Sequence, residues 1–171
     1  MSDWDDRVEV LRFADGGETP NHPRFPVVFY RSVFPGSGDR SDEIERCFLA
    51  NGWRGTWRWG VYRFHHYHST AHEVLGCGRG EALIRLGGAK GRDVRVKAGD
   101  AVLLPAGTGH CCVESSTVFQ VVGAYPPGQL VDLIRSDEGD IARTRERILA
   151  VAVPACDPVF GKNGPLDRFW K

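Results

Sequence analysis

Phe64-His65-His66-Tyr67-His68-Ser69-Thr70-Ala71-His72-Glu73 packs four histidines and a carboxylate into ten positions. The segment from Arg58 to Ser69 is aromatic-rich and proline-free, which predicts one strand. Successive strand side chains leave opposite faces, so His66 and His68 emerge side by side. Tyr62 and Phe64 share their face as an apolar floor, and Arg58 shares it further back, where it could meet an anionic substrate or form a plain ion pair. His65 and Tyr67 point the other way. A turn at Ser69-Thr70 lets Glu73 fold back beside the two imidazoles. Imidazole is the commonest metal ligand and a carboxylate adds an anionic donor. A lone buried histidine is ordinarily a hydrogen-bonded core residue; two on one face with a glutamate point to a metal. Parity turns His72 away from Glu73 and the metal.

A second stretch, Gly99-Asp100-Ala101-Val102-Leu103-Leu104-Pro105-Ala106-Gly107-Thr108-Gly109-His110, reads as turn, strand, turn and histidine. The Pro-x-Gly turn redirects the chain and starts a new strand at His110. Parity then places Cys112 and Glu114 on the face of His110, with Cys111 opposite. Cys112 reads either as a small buried hydrophobe or as a thiol beside the metal. Gln120, on the last strong strand, is a further candidate for the pocket wall.

Strands recur on both sides of these stretches. Val8 to Phe13 alternates, Pro26 to Arg31 is a buried apolar run, and Glu73–Gly78, Glu81–Leu86, the Val94–Val96 segment, Ala101–Leu104 and Thr117–Ala124 follow at short intervals. Gly78-Arg79-Gly80 reads as a hairpin turn. Ile44, Cys47 and Phe48 fall at helical spacing behind Asp42-x-x-Glu45, a capping-box pattern, so residues 42–51 form a helix stopped by Gly52. Leu130–Ile134 reads as a helical turn and Ile141–Val151 as a charged surface helix. His22 lies in the Ala14–Pro26 loop and is expected in solvent. The tail from Asp157 carries Phe160, Leu166, Phe169 and Trp170, which should fold over the sheets.

The chain has 171 residues, 42% hydrophobic and 26% charged, the profile of one globular domain. Its 22 basic and 22 acidic residues cancel, so there is no electrostatic footprint for nucleic acid or an anionic membrane. No helix-turn-helix segment accompanies it, which argues against a DNA-binding regulator. No apolar run approaches the ~20 residues of a spanning helix. Met1 to Asp6 is acidic and polar, unlike a secretory leader. The cysteines Cys47, Cys77, Cys111, Cys112 and Cys156 are odd in number with no C-x-x-C pair, so reduced thiols in a cytoplasmic protein are expected.

The two stretches resemble the paired motifs of the cupin superfamily. Gly60, His66, His68, Glu73 and Gly80 fit G-x5-H-x-H-x4-E-x6-G at every spacing. Gly99, Pro105, Gly107 and His110 fit G-x5-P-x-G-x2-H-x3-N, with Glu114 where that pattern has asparagine. The flanks are similar to the bacterial YjlB-type cupins. The resemblance implies an all-β fold, a jelly-roll barrel of the cupin kind with a few peripheral helices. The motifs cover residues ~60–114, the surrounding strands extend the match to most of the chain, and 1–171 is expected as a single domain with its barrel core at about 53–125, the N-terminal strands and helix of 1–52 and the C-terminal helix and tail of 126–171 packed on it. The resemblance implies one divalent ion (Fe, Mn, Ni, Zn or Cu) on His66, His68, Glu73 and His110. It also implies a small-molecule substrate and a metal-dependent enzyme of dioxygenase or isomerase type; the alternative is a non-catalytic ligand-binding cupin with a structural or vestigial metal. Trp53, Trp57 and Trp59 lie opposite the ligand face by parity, and covering them favours a homodimer.

Overall fold

Runs of valine, isoleucine and leucine at period two become strands, and where the run is apolar at every position the strand is covered on both faces. The computed structural model describes residues 4–171. A 3-10 turn (Asp5–Arg7) leads into β1 (Val8–Leu11) and β2 (Val27–Tyr30), then helix α1 (Ser41–Ala50). Next come β3 (Arg54–Trp59), β4 (His66–Tyr67), β5 (Glu73–Arg79), β6 (Glu81–Leu86), β7 (Arg92–Lys97), β8 (Ala101–Leu104), β9 (His110–Ser115) and β10 (Gln120–Tyr125). The chain closes with β11 (Ile134–Arg135), α2 (Ile141–Ala150) and α3 (Pro165–Phe169).

The strands form a six-stranded sheet, β1-β2-β8-β5-β10-β3, and a five-stranded sheet, β11-β4-β9-β6-β7. From β3 to β10 the chain changes sheet at every connection except the β6–β7 hairpin. That alternation is the jelly-roll pattern. Between the sheets, Phe29, Leu75, Val102 and Val121 of the larger one pack with Ile84, Leu86, Val96 and Cys112 of the smaller. The outer face of the larger sheet is also buried. Val28, Val74, Leu103 and Val122 lie under Ile44 and Phe48 of α1 and under Leu166 and Trp170 of the tail. Hence β2 and β8 are buried at every position, whereas β6 and β7 alternate with solvent.

Several expectations need correction. Arg58 to Ser69 is not one strand: β3 ends at Trp59 and the chain crosses to the other sheet before β4. Gly78-Arg79-Gly80 is not a hairpin turn but a corner between sheets, made at Gly80 with φ +68°, where Ser116 and Phe119 crowd the place of a Cβ. The capping box does not form. Asp39 accepts from the Ser41 amide at 2.8 Å, while Asp42 and Glu45 both turn to Arg58. Leu130 to Ile134 is not helical; residues 130–133 form no regular element and Ile134 opens β11, which pairs with β4. The strands outside 53–125 join the same two sheets, β1 and β2 the larger and β11 the smaller. His22 is buried rather than solvated, its Nδ1 accepting from the Phe25 amide at 2.9 Å. Among the described residues, no helix is long and apolar enough to cross a membrane.

Candidate metal centre

β4 and β9 pair at one position, His66 opposite His110, and this brings together two histidines 44 residues apart (110 − 66). His68 follows immediately after β4, and Glu73 opens β5 in the facing sheet. The four side chains therefore meet in the space between the sheets. The rings of His66 and His110 are 4.1 Å apart, those of His68 and His110 5.7 Å. One donor atom from each of the three histidines lies within 4.8 Å of the others. Glu73 Oε2 is 3.2 Å from His68 Nε2 and 3.3 Å from His110 Nε2. All four residues are buried.

The backbone fixes which nitrogen of each ring faces the cavity. His66 Nδ1 meets the Phe64 carbonyl at 3.0 Å and His110 Nδ1 meets the Thr108 carbonyl at 3.0 Å. His68 Nδ1 meets the Asp132 carbonyl. A carbonyl oxygen only accepts, so each Nδ1 carries the proton and each Nε2 presents a lone pair. Glu73 Oε2, which the His68 and His110 nitrogens approach, has no hydrogen-bond partner. Lone pairs thus converge on a carboxylate with nothing donating between them. A cation relieves that repulsion, and imidazole nitrogens with a carboxylate suit a first-row divalent ion. The residues fit the group that the motifs imply.

The electrostatics set the members of the cluster apart. Burial, reinforced by the neighbouring His110, pushes the His66 imidazole down to about 3. Burial is also the largest single effect on His68, but the charge and hydrogen bond of Glu73 together with the carbonyl and charge of Asp132 outweigh it and lift His68 above its ordinary value. Burial acts to raise Glu73, yet His68 and His110 hold it below the usual carboxylate range. Burial first, then the Glu73 charge, push the Tyr125 hydroxyl well above its ordinary value.

A cavity of about 300 Å³ opens beside the histidines, walled by Trp57, Trp59, Tyr62, Tyr125, Val131, Asp132 and Leu133 among others. Of the expected wall residues, Tyr62 is there. Phe64 stands behind it, stacked on Tyr62 at 4.8 Å with the Arg135 guanidinium over its ring. Arg58 is outside, paired with Asp42 and Glu45 of α1. Gln120 sits at the far end of β10, 3.4 Å from the Ser41 hydroxyl. Cys112 faces the apolar core opposite Ile84. Glu114 is exposed and pairs with Arg95 at 3.3 Å, because a bulge in β9 at Val113 reverses parity between Cys112 and Glu114. His72 faces away from the histidine cluster, as parity requires, and its Nδ1 accepts from the Ala106 amide at 2.9 Å.

The tryptophans divide differently from expectation. Trp53 is buried, donating to the Cys156 carbonyl at 3.0 Å. Trp57 and Trp59 line the cavity, and only Trp59 is strongly exposed, at 62%. The sheet crossing after Trp59 ended the parity count that had set them opposite the ligands. Tyr125 and the segment Val131–Leu133 went unread in the sequence. Tyr125 lies beyond a register shift in β10, and the strap at Val131–Leu133 carries only scattered apolar residues with no motif.

No protein-family model matches the chain. It is 42% identical to the uncharacterized protein YjlB of Bacillus subtilis over 163 residues, which is 95% of this chain and 96% of that one. Among solved structures it is similar to acireductone dioxygenase from Bacillus anthracis with a cadmium ion in the active centre, at 19% identity and TM-score 0.38 over 54% of this chain and 64% of that one. It is also similar to the DMSP lyase DddQ from Ruegeria pomeroyi, at 18% identity and TM-score 0.39 over 82% of this chain and 57% of that one. The chain spans less than two thirds of either solved chain. With both motifs in register, strands alternating between two sheets and a relative matched along nearly its whole length, the chain belongs to the YjlB family of cupins.

Proposed function

We propose that the protein holds one divalent metal ion on His66, His68, Glu73 and His110 and acts as a metal-dependent enzyme on a small organic molecule, of oxidoreductase or isomerase type. The observation that carries this is the tautomer lock: three backbone carbonyls turn three Nε2 lone pairs into one buried cluster, and two of them, on His68 and His110, lie within 3.3 Å of the Glu73 carboxylate oxygen. The chemistry supplied by such an ion is Lewis-acid polarisation of a substrate oxygen. Glu73 contributes the anionic donor, and four protein donors leave room for substrate on an ion that takes six. Asp132 positions His68 through its carbonyl while its carboxylate accepts from the Ser69 amide at 2.6 Å. Trp57 and Tyr62 wall the cavity beside the histidines.

A second reading, a ligand-binding protein without turnover, is favoured by one observation. Of the two cavity carboxylates, Asp132 is tied to the Ser69 and Thr70 amides and Glu73 is already a donor to the ion in the reading above, so neither is left over to move a proton. Elemental analysis of protein purified without added metal tests the metal, with about one ion per chain expected and near none in His66→Ala and His110→Ala. Equal metal content in all three removes the site. Dioxygen uptake and product analysis with diols, keto acids and sugars then separate enzyme from binder: saturable binding without turnover supports the second reading.

A further inference from the structure

We propose that the cavity accepts a neutral, flat, ring-bearing molecule that presents a metal-binding oxygen at one edge; this rests on the metal reading above. The first argument is charge. Among the described residues lining the cavity there is no lysine or arginine, and the charged groups are Glu73 and Asp132. The nearby guanidiniums are spent elsewhere: Arg58 on α1, and Arg135 over Phe64 beside Asp137 and Glu138. Two carboxylates balance the two charges of a divalent ion. A dianion such as a phosphate ester or dicarboxylate would be desolvated with no counter-charge to receive it, which is strongly unfavourable. A neutral donor, or one that loses a single proton on binding, suits the site.

The second argument is shape. Trp59, Tyr62 and His66 form a run of rings from the mouth inward, Trp59 edge-on to Tyr62 at 5.4 Å and Tyr62 edge-on to His66 at 5.2 Å. Trp57 is a fixed wall. Its Nε1–H donates to the Tyr125 hydroxyl at 2.9 Å, and its indole lies on Gly123, where a Cβ would come within 2.0 Å of the ring. Trp59 has no such cover and is 62% exposed at the cavity. Val131 and Leu133 are also exposed around the same cavity. A flat ring seated there covers indole surface that water otherwise wets, and stacked or edge-on aromatic pairs add attraction beyond burial. The cavity volume of about 300 Å³ lies at the small end for ligand sites and suits one or two rings.

Zinc-loaded protein tests this, zinc being redox-inert. Calorimetric titration uses catechol as the neutral ring chelator, oxalate as the dianionic chelator and glycerol as the ringless neutral polyol. Catechol should bind saturably, with oxalate and glycerol at least about tenfold weaker. Trp59→Ala should weaken catechol by about tenfold and Trp59→Phe by no more than about threefold. Oxalate binding as tightly as catechol, no catechol binding, or equal affinity in Trp59→Ala overturns the proposal. So does a change in oligomeric mass of Trp59→Ala without a change in affinity, which would make Trp59 a contact between copies. Metal content measured on the same samples separates the two levels: a zinc-free chain indicts the centre itself, whereas a full complement of zinc with no catechol binding indicts only the ring-bearing ligand.

Discussion

Five of the six histidines are buried, and they fall into two groups with opposite tautomers. In His66, His68 and His110 the Nδ1 proton goes to a backbone carbonyl and Nε2 keeps a lone pair for the cavity. In His22 and His72 the backbone partner is an amide. The Arg24 and Phe25 N–H groups donate to His22 Nδ1, and the Ala106 N–H donates to His72 Nδ1. Those two rings therefore spend the Nδ1 lone pair on the fold and carry their proton on Nε2. They sit among Phe25 and Trp170, with His22 stacked on Phe25 at 4.3 Å and His72 against Trp170 at 4.7 Å. Burial pushes His22 down to about 4 and His72 to about 3, and both stay neutral at physiological pH. Burial alone does not distinguish a ligand from a structural histidine; the backbone group that meets Nδ1 does.

Exchanging one histidine from each group should give the sharpest contrast. His110→Ala should drop metal content from about one ion per chain to near zero. His72→Ala should leave metal content unchanged while leaving the Ala106 amide unpaired and a void under Trp170. Its cost appears in urea unfolding as about 1–3 kcal/mol. Loss of metal in both variants, or in neither, erases the distinction drawn from the tautomers.

A smaller effect should come from the residue that sets a tautomer without binding metal. The Asp132 carboxylate ties the strap to the Ser69 and Thr70 amides, and this holds its carbonyl on His68 Nδ1. Asp132→Ala should weaken metal binding by about 10–100-fold, the usual consequence of losing a partner that orients a ligand. Competition with a fluorescent zinc chelator reads this directly. Unchanged affinity would mean that the ring holds its orientation without the strap.

The contrast also separates what a linear reading reaches from what it misses. His66, His68 and Glu73 fall within one eight-residue stretch, whereas His110, 37 residues beyond Glu73, is joined to them in the sequence only by the resemblance of the two motifs. The alternation of β6 and β7 and the unbroken apolar run of β8 are legible because both patterns are local. Glu114 was misplaced because a single bulged residue, Val113, inverts every later side chain of β9. Trp57 and Trp59 were misplaced because the chain changes sheet after β3, and parity carries no meaning across such a crossing. His22 was set in solvent because a loop with proline and glycine reads as surface. Nothing local shows that Phe25, stacked on Trp170 from the far end of the chain, closes over it. Asp132 was unreadable because its role is held by hydrogen bonds to residues 63 and 62 positions away.

The smallest expected effect is in the pH dependence of stability, where the structural group should reveal itself. His22 titrates near 4 in the folded chain and near 6.5 when unfolded, with burial the main cause and the Arg24 charge adding to it. The other titratable ring facing it is His72, at 6.2 Å. Above 6.5 both states are neutral at this position and His22 makes no pH-dependent contribution. As pH falls below 6.5 the unfolded chain takes up a proton that the folded chain refuses, so stability declines, and the decline from this residue ends near pH 4. Across that window the loss should be on the order of 1–3 kcal/mol. His22→Asn retains an acceptor for the Arg24 and Phe25 amides but cannot take the proton. Its stability at pH 7 should stay within about 1 kcal/mol of the parent, and its acid limb between pH 6.5 and 4 should be shallower by about one proton. Urea unfolding at a series of pH values measures both quantities. An acid limb identical in the two chains would show that the ring is reached by solvent, and would remove burial as the reason for its tautomer.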